Sequence, residues 1–287
     1  MFDLRHASPD EVEQLRAIFD RASDAPYPIV PVFDEKLLAG TAGRAEITVA
    51  TREGEVVAGM VCCGAHLRLL AVSRGHRNQG AGTRLLALAE RHAAASGFER
   101  LIIAGEPGNY FTPGIWLNDE RTIGFFRARG YRVRSEPVNL TVQLNDSPFL
   151  DQTPPTGRVV GASHEERMAV KRWIEDEFGP IWAFEAGKSF EHPQPSIFIH
   201  REGGEIRGFS AHCANNAALG TYGPAGVGRR WRRNGYGSGL LLASLADLKV
   251  RGFSAAIIQW AAALDFYERT CGAVVSERFV VLEKALK

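Results

Sequence analysis

Two stretches of the chain set an arginine, two glycines and a small hydroxyl residue at one fixed spacing. The first is Arg77-Asn78-Gln79-Gly80-Ala81-Gly82-Thr83 and the second is Arg232-Arg233-Asn234-Gly235-Tyr236-Gly237-Ser238. These residue types suit the holding of a phosphate. Glycine lets successive amides converge on an anion and removes side chains that would bar it. An apolar helix after each turn presents its positive end to the same anion. Arg77 and Arg232 add cations, Thr83 and Ser238 add hydroxyls, and Val72 and Val227 close the strands that lead in. One such turn is as readily an ordinary helix start; two at matched positions weaken that reading. A Walker loop is excluded because no Gly-Lys-Ser/Thr follows the glycines. A dinucleotide-binding fold is disfavoured because each turn follows a hairpin instead of opening a βαβ unit.

The match extends well beyond the turns. The offset of 155 (227 − 72) also relates Ser8 to Ser163, Glu11 to Glu166, Gly97 to Gly252 and Ile102 to Ile257. The chain therefore reads as a duplicated domain. Each copy runs strand, Ser-x-x-Glu capping box, helices, Gly-containing hairpin, strand, glycine turn, helix, strand, helix, strand, which predicts a mixed α/β unit of three layers. Late in the copies the offset falls to 141 (267 − 126), so the first copy carries an extra loop of 14 residues around Pro107–Gly114. Asn109 and Tyr110 in that loop suit either acceptor contact or packing across a domain junction. The expected boundaries are 1–145 for the first domain, 146–157 for a Pro-rich linker and 158–287 for the second.

Composition narrows the function classes. Hydrophobic residues make up 45% of the 287 and charged residues 23%, the balance of a globular chain of two ordinary domains. A net charge of +1 gives no global attraction to nucleic acid or to an anionic membrane. No apolar run approaches the roughly 20 residues of a bilayer span. Acidic Asp3, Asp10 and Glu11 stand where a signal peptide needs an apolar core. Cys62 and Cys63 are adjacent while Cys213 and Cys271 stand alone, with no metal-like spacing. The expectation is a cytoplasmic protein with reduced thiols, no metal, and neither a nucleic-acid nor a membrane partner.

With Arg-x-x-Gly-x-Gly in both halves and Phe266-Tyr267-Glu268 in the late helix, the chain resembles the GCN5-related N-acetyltransferase (GNAT) superfamily, twice, over nearly its whole length. The resemblance implies an α/β (mixed, α+β) architecture of two tandem copies, each a central, mainly antiparallel sheet flanked by helices. It implies that the turns bind the pyrophosphate of acetyl-coenzyme A. The cofactor-binding set is then Val227 and Arg232 to Ser238 in one copy, Val72 and Arg77 to Thr83 in the other. A late-helix tyrosine in this family commonly gives a proton to the departing thiolate. Tyr267 matches it, whereas the first copy has Phe126, which has no proton to give. The second copy is therefore expected to catalyse, and the first to be a degenerate binder or scaffold. A backbone N–H near Val227 is the implied oxyanion donor. Two features depart from the family pattern: Trp260 replaces an asparagine common seven residues before the tyrosine, and the spacing of five from Tyr267 to Gly272 is one more than usual.

Several assignments stay open on the sequence. The basic run Arg229-Arg230-Trp231-Arg232-Arg233 suits nucleic-acid contact, the phosphates and adenine of the coenzyme, or a solvated loop; the near-neutral chain favours the coenzyme. Glu185, Glu191, His192, His212 or a water relay could serve as base. Trp182 and Phe184 suit an aromatic acceptor wall or a core. The expected reaction moves acetyl to a primary amine of a small molecule, such as an amino sugar or amino thiol, in a monomer or homodimer. The alternatives are a non-catalytic acetyl-coenzyme A sensor and a protein N-acetyltransferase.

Overall fold

The computed structural model describes residues 2–22, 33–38, 45–145, 147–150 and 159–286. Its contacts divide the chain into two compact units: Met1–Pro137 with Arg278–Lys287, and Val138–Glu277. The first unit holds β1 (Asp3–His6), α1 (Pro9–Ala22), α2 (Phe33–Leu38), β2 (Glu46–Arg52), β3 (Glu55–Cys63) and β4 (His66–Val72). It continues with α3 (Ala81–Ala95), β5 (Arg100–Ile103), β6 (Ile115–Trp116), α4 (Glu120–Arg127) and β7 (Arg132–Ser135). The second holds β8 (Val138–Gln143), β9 (Val159–Gly161), α5 (Arg167–Phe178), α6 (Pro180–Gly187), β10 (Ile197–Glu202) and β11 (Glu205–His212). After these come β12 (Thr221–Val227), α7 (Tyr236–Val250), β13 (Ala255–Ile258) and α8 (Leu264–Cys271). The last strand, β14 (Val274–Ala285), begins in the second unit and ends in the first.

The copies thus exchange their final strands. In the first unit the order is β1-β2-β3-β4-β5-β14-β7, and in the second β9-β10-β11-β12-β13-β8. Leu282 of β14 pairs with Ile103, while Leu140 of β8 pairs with Ile258. Boundaries at 145 and 158 miss this, because pairing partners far apart in sequence leave no local signal. Of the expected linker, only residues 147–150 are among those described.

The local reasons are those the sequence suggests. Ser163 and Glu166 form a complete capping box, and the Ser8 amide donates to Glu11 at 2.9 Å. The hairpin turns carry left-handed pairs, Glu53 and Gly54 in one copy, Gly203 and Gly204 in the other. Asp119 caps α4 through the Thr122 amide at 2.9 Å. Each sheet is covered on both faces. In the second unit, Leu241, Leu245 and Leu248 of α7 join Leu140 and Val142 in one buried cluster. Val170 and Ile174 of α5 join Ile197, Ile199 and Phe209 in another. In the first unit, Leu85 and Leu86 of α3 share a cluster with Ile123 and Phe126 of α4.

Candidate active site

Every strand pair described is antiparallel except one in each unit, and that pair opens into a wedge. β4 and β5 pair only at His66↔Ile102 and Leu67↔Ile103; β12 and β13 only at Thr221↔Ile257 and Tyr222↔Ile258. In both units a bulge follows at once, at Arg68 facing β3 and at Gly223-Pro224 facing β11. A bulge bends its strand, so β4 and β12 turn away from their parallel partners. Ser73 N–H donates to Val57 O and Gly228 N–H to Arg207 O, both at 2.9 Å. By alternation, the amides of Leu70, Val72, Ala225 and Val227 face the open side. Such an edge suits an extended, amide-bearing ligand.

The glycine turns close the wide end of each wedge with the same geometry twice. Left-handed residues alternate at Asn78 and Gly80 (φ 61° and 92°) and at Arg233 and Gly235 (φ 69° and 77°). This brings successive amides to one side, a nest for an anion. Gly80 and Gly235 then start helices α3 and α7, each 15 residues long. Next along, a Cβ on Gly82 would lie 3.4 Å from Val72 and 3.6 Å from Phe125; one on Gly237 would lie 3.5 Å from Phe266 and 3.8 Å from Val227. The arginines are anchored as well as charged: Arg77 Nε donates to Val72 O at 3.2 Å, and Arg232 Nε to Val227 O at 3.3 Å.

Other side chains of the turns serve the scaffold. Gln79 lies between Arg52 and the Gly75 carbonyl, and Asn234 donates to the carbonyls of Trp231 and Arg232. Tyr236 turns back to the sheet, where its ring stacks on His200 at 3.8 Å and its hydroxyl meets Arg207 and Glu202. Trp231 has Arg207 over its ring at 4.1 Å, so that face is already covered. Thr83 accepts from Arg129 Nη2 at 2.7 Å, and Arg129 lies over Phe125 at 3.9 Å. That extra cation beside α3 has no sequence motif to announce it.

At the narrow end the units differ. Tyr267 of α8 stands edge-on to Tyr222, the last residue of β12 paired with β13, with ring centres 6.2 Å apart. Burial pushes the Tyr267 phenol up to about 12, so it is protonated at neutral pH. Its counterpart Phe126 is buried in apolar packing against Phe125 and Tyr131. On the first unit's side of the same point, Arg68 and Glu106 form an ion pair, Nε to Oε2 2.6 Å, with both side chains 1% exposed. Arg68 also donates to the Lys36 carbonyl, and Lys36 Nζ reaches Asn109 Oδ1 at 3.4 Å. At the offset of 155 these positions in the second unit are Gly223 and Ala261, which have almost no side chain.

The acceptor-side candidates sort unevenly. His212 is fully buried, with Nε2 2.6 Å from Asp247 of α7 and its ring stacked on Phe198; burial holds its basicity down despite Asp247. This is a structural pair, braced by Arg251 on the same carboxylate oxygen. His192 Nε2 is tied to the Cys213 carbonyl at 2.9 Å, Glu191 is exposed near Arg167, and Glu185 is buried in α6. Trp182 stacks on Phe178, 5.0 Å between centres, and adjoins core Phe209. Asn109 and Tyr110 of the extra loop are buried, and Asn109 Oδ1 accepts from Lys36 Nζ at 3.4 Å. Among the described residues no group of three or more His, Cys, Asp or Glu is arranged to hold a metal. None of their helices is long and apolar enough to cross a membrane.

Comparison with known proteins bears on the same two regions. Residues 12–131 and 165–273 match the model of the acetyltransferase (GNAT) family. A GCN5-related glucosamine N-acetyltransferase region of a fungal multi-domain GH3 β-N-acetylglucosaminidase is similar over 99% of this chain, with TM-score 0.82 and 18% identity. The match covers 38% of that longer protein. A GCN5-related N-acetyltransferase from Sphaerobacter thermophilus aligns over 100% of this chain and 96% of its own, with TM-score 0.70 and 18% identity. A tandem GNAT protein from the clavulanic acid biosynthesis pathway aligns over 100% and 99%, with TM-score 0.72 and 17% identity. At these identities the structures speak for the fold alone. No curated protein matches the sequence.

Proposed function

The chain belongs to the acetyltransferase (GNAT) family, and from that premise we propose that its second unit moves acetyl from acetyl-coenzyme A to a primary amine of a small molecule. One contrast carries the reading: a protonated phenol stands at the narrow end of the second wedge, and a buried phenylalanine at that of the first. The turns fit the coenzyme's pyrophosphate in both units, since alternating left-handed residues and a helix start supply converging amides. The open edge of β12 suits its pantetheine arm, with the Val227 and Ala225 amides facing the ligand. Donors so placed stabilise negative charge developing on a thioester carbonyl oxygen. Tyr267 gives its proton to the departing sulfur. The first unit holds coenzyme without catalysing transfer.

The amino-sugar class takes support from the fungal relative, a glucosamine N-acetyltransferase region. The experiment measures thiol release from acetyl-coenzyme A with a panel of amines that includes glucosamine, for wild type and Tyr267→Phe. The expected loss is on the order of 10²- to 10⁴-fold in kcat with coenzyme binding kept, the usual size of a general-acid contribution. Turnover by the variant within a few-fold of wild type would remove the phenol from the mechanism. Coenzyme binding without turnover on any amine would point instead to a sensor.

A further inference from the structure

The acid side of the proposed reaction is built on one face of the second unit's sheet, where α7 and α8 lie. Alternation along β8 puts Leu140 and Val142 on that face, in the α7–α8 cluster, and Asn139 on the other. There Asn139, fully buried, makes two side-chain hydrogen bonds. Its Oδ1 accepts from the Trp260 amide at 3.1 Å, and its Nδ2 donates to Glu277 Oε2 at 2.8 Å. Trp260 is two residues beyond Ile258, the last paired residue of β13, and holds a left-handed φ of 50° where the first copy has Gly105 at 57°. A bulky residue in that conformation is strained, and strain of this kind gathers at functional sites. The Asn139 bond fixes the Trp260 backbone there.

We propose that Glu277, oriented by Asn139, is the base that takes the proton of the acceptor amine in the second unit. The inference rests on the acetyltransferase reading. A thioester lying in the wedge has Tyr267 on the α7–α8 face; on the opposite face Trp260 borders it, and Glu277 is linked to that border through the Asn139 bond to the Trp260 amide. The amine nitrogen attacks the carbonyl carbon, forming the C–N bond while the π pair moves to oxygen. Glu277 takes the proton that the nitrogen must then lose. As the carbonyl reforms, the C–S bond breaks, and the sulfur keeps the pair and takes a proton from Tyr267. Solvent returns a proton to the phenolate and accepts the one on Glu277, so the balance is amine plus thioester to amide plus thiol.

The surroundings of Glu277 suit a base. From β8 it meets the neutral Asn139 carboxamide, and no Lys, Arg or His side chain pairs with it among the described residues. Burial raises its carboxyl above the usual 4.5, offset in part by Asn139. Glu283, six residues along the same strand, shows the opposite case: Arg134 and Arg100 hold it down. The first copy offers no such group, since 277 − 141 is Glu136, which follows β7 and is exposed.

The test uses the full chain with acetyl-coenzyme A, glucosamine and the amine panel. Glu277→Gln keeps an acceptor for Asn139 and should lower kcat/KM at least 100-fold with the Kd for coenzyme A unchanged. In wild type the rate should fall as pH drops through the raised Glu277 value, and Glu277→Gln should lose that acidic limb. Glu277→Ala should regain activity with added formate, which a merely structural glutamate would not allow. Wild-type turnover with Glu277→Gln within threefold, or with the acidic limb intact, overturns this inference alone. Absence of wild-type turnover on every amine overturns the acetyltransferase reading, and this inference with it.

Discussion

Replacing Arg68 or Glu106 singly should destabilise the first unit far more than replacing both. Their 2.6 Å contact is worth about 6 kcal/mol at an effective dielectric of about 20, from 332/(20 × 2.6). Desolvation of two ions costs several kcal/mol each, so the intact pair contributes little net stability. Removing one partner is different. With both side chains 1% exposed, Glu106→Leu leaves a buried guanidinium and Arg68→Met a buried carboxylate, each costing about 3–5 kcal/mol. The double variant loses the pair together with the Arg68 bond to the Lys36 carbonyl, and should cost about 1–2 kcal/mol. The coupling between the two sites is then several kcal/mol. Urea unfolding read by hydrogen exchange of peptides from β4 and β5 reports this unit separately from the other. Single variants costing under about 1 kcal/mol, or a double variant costing the sum of the singles, would refute the reasoning.

Gly235→Ala forces a side chain onto φ 77° and should destabilise the second unit by about 1–2 kcal/mol while weakening coenzyme A binding, as calorimetry would show. Gly237→Ala places its Cβ at an ordinary 3.5 Å from Phe266, so thermal unfolding should move by less than about 2 °C. Glu283 is held below 4.5 by Arg134 first and Arg100 after it; its stabilisation is present above 4.5 and lost as pH falls through the lower folded value. Acid unfolding of Glu283→Gln should therefore show a weaker pH dependence than wild type. Separately expressed fragments 1–145 and 158–287 should each be unfolded by circular dichroism and recover structure on mixing. The first lacks buried Phe279, Val280, Val281 and Leu282, about 1.5–3 kcal/mol apiece, which together rival a domain's whole stability.

What was legible in the sequence was what local chemistry encodes. Glycine spacing located both turns, Ser-x-x-Glu located the helix starts, and the change of offset from 155 to 141 located the extra loop. Tyr267 and Phe126 fell at matched positions because one helix carries each. Long-range pairing was hidden. The exchange of β8 and β14 depends on partners over a hundred residues apart, and the Asn139–Glu277 bond spans 138 positions between those same strands. The side-chain partners of Tyr236 and Asn234 were hidden as well: the Tyr236 hydroxyl donates to Glu202, and the Asn234 carboxamide to the Trp231 carbonyl. The Arg68–Glu106 pair had one usable signal: a charged pair in one copy where the other has Gly223 and Ala261.

The duplication repeats one end of the wedge and varies the other. The wide end of the wedge is the same device in both units: left-handed alternation, a helix start, and an arginine Nε returned to the strand carbonyl. Every difference described at the narrow end goes one way. In the first unit Arg68, Glu106 and Phe126 occupy it, and Gly105 takes the left-handed backbone without strain. In the second unit Gly223 and Ala261 stand there instead, Tyr267 carries a protonated phenol, and Trp260 holds at φ 50° the left-handed conformation that Gly105 takes at 57°. Packing considerations alone would place the glycine where φ is positive and a large side chain where there is room to fill. At Trp260 the second unit does the reverse, with the backbone held there by the amide bond to Asn139 Oδ1, whereas Gly223, at φ 120°, sits where the backbone itself asks for glycine.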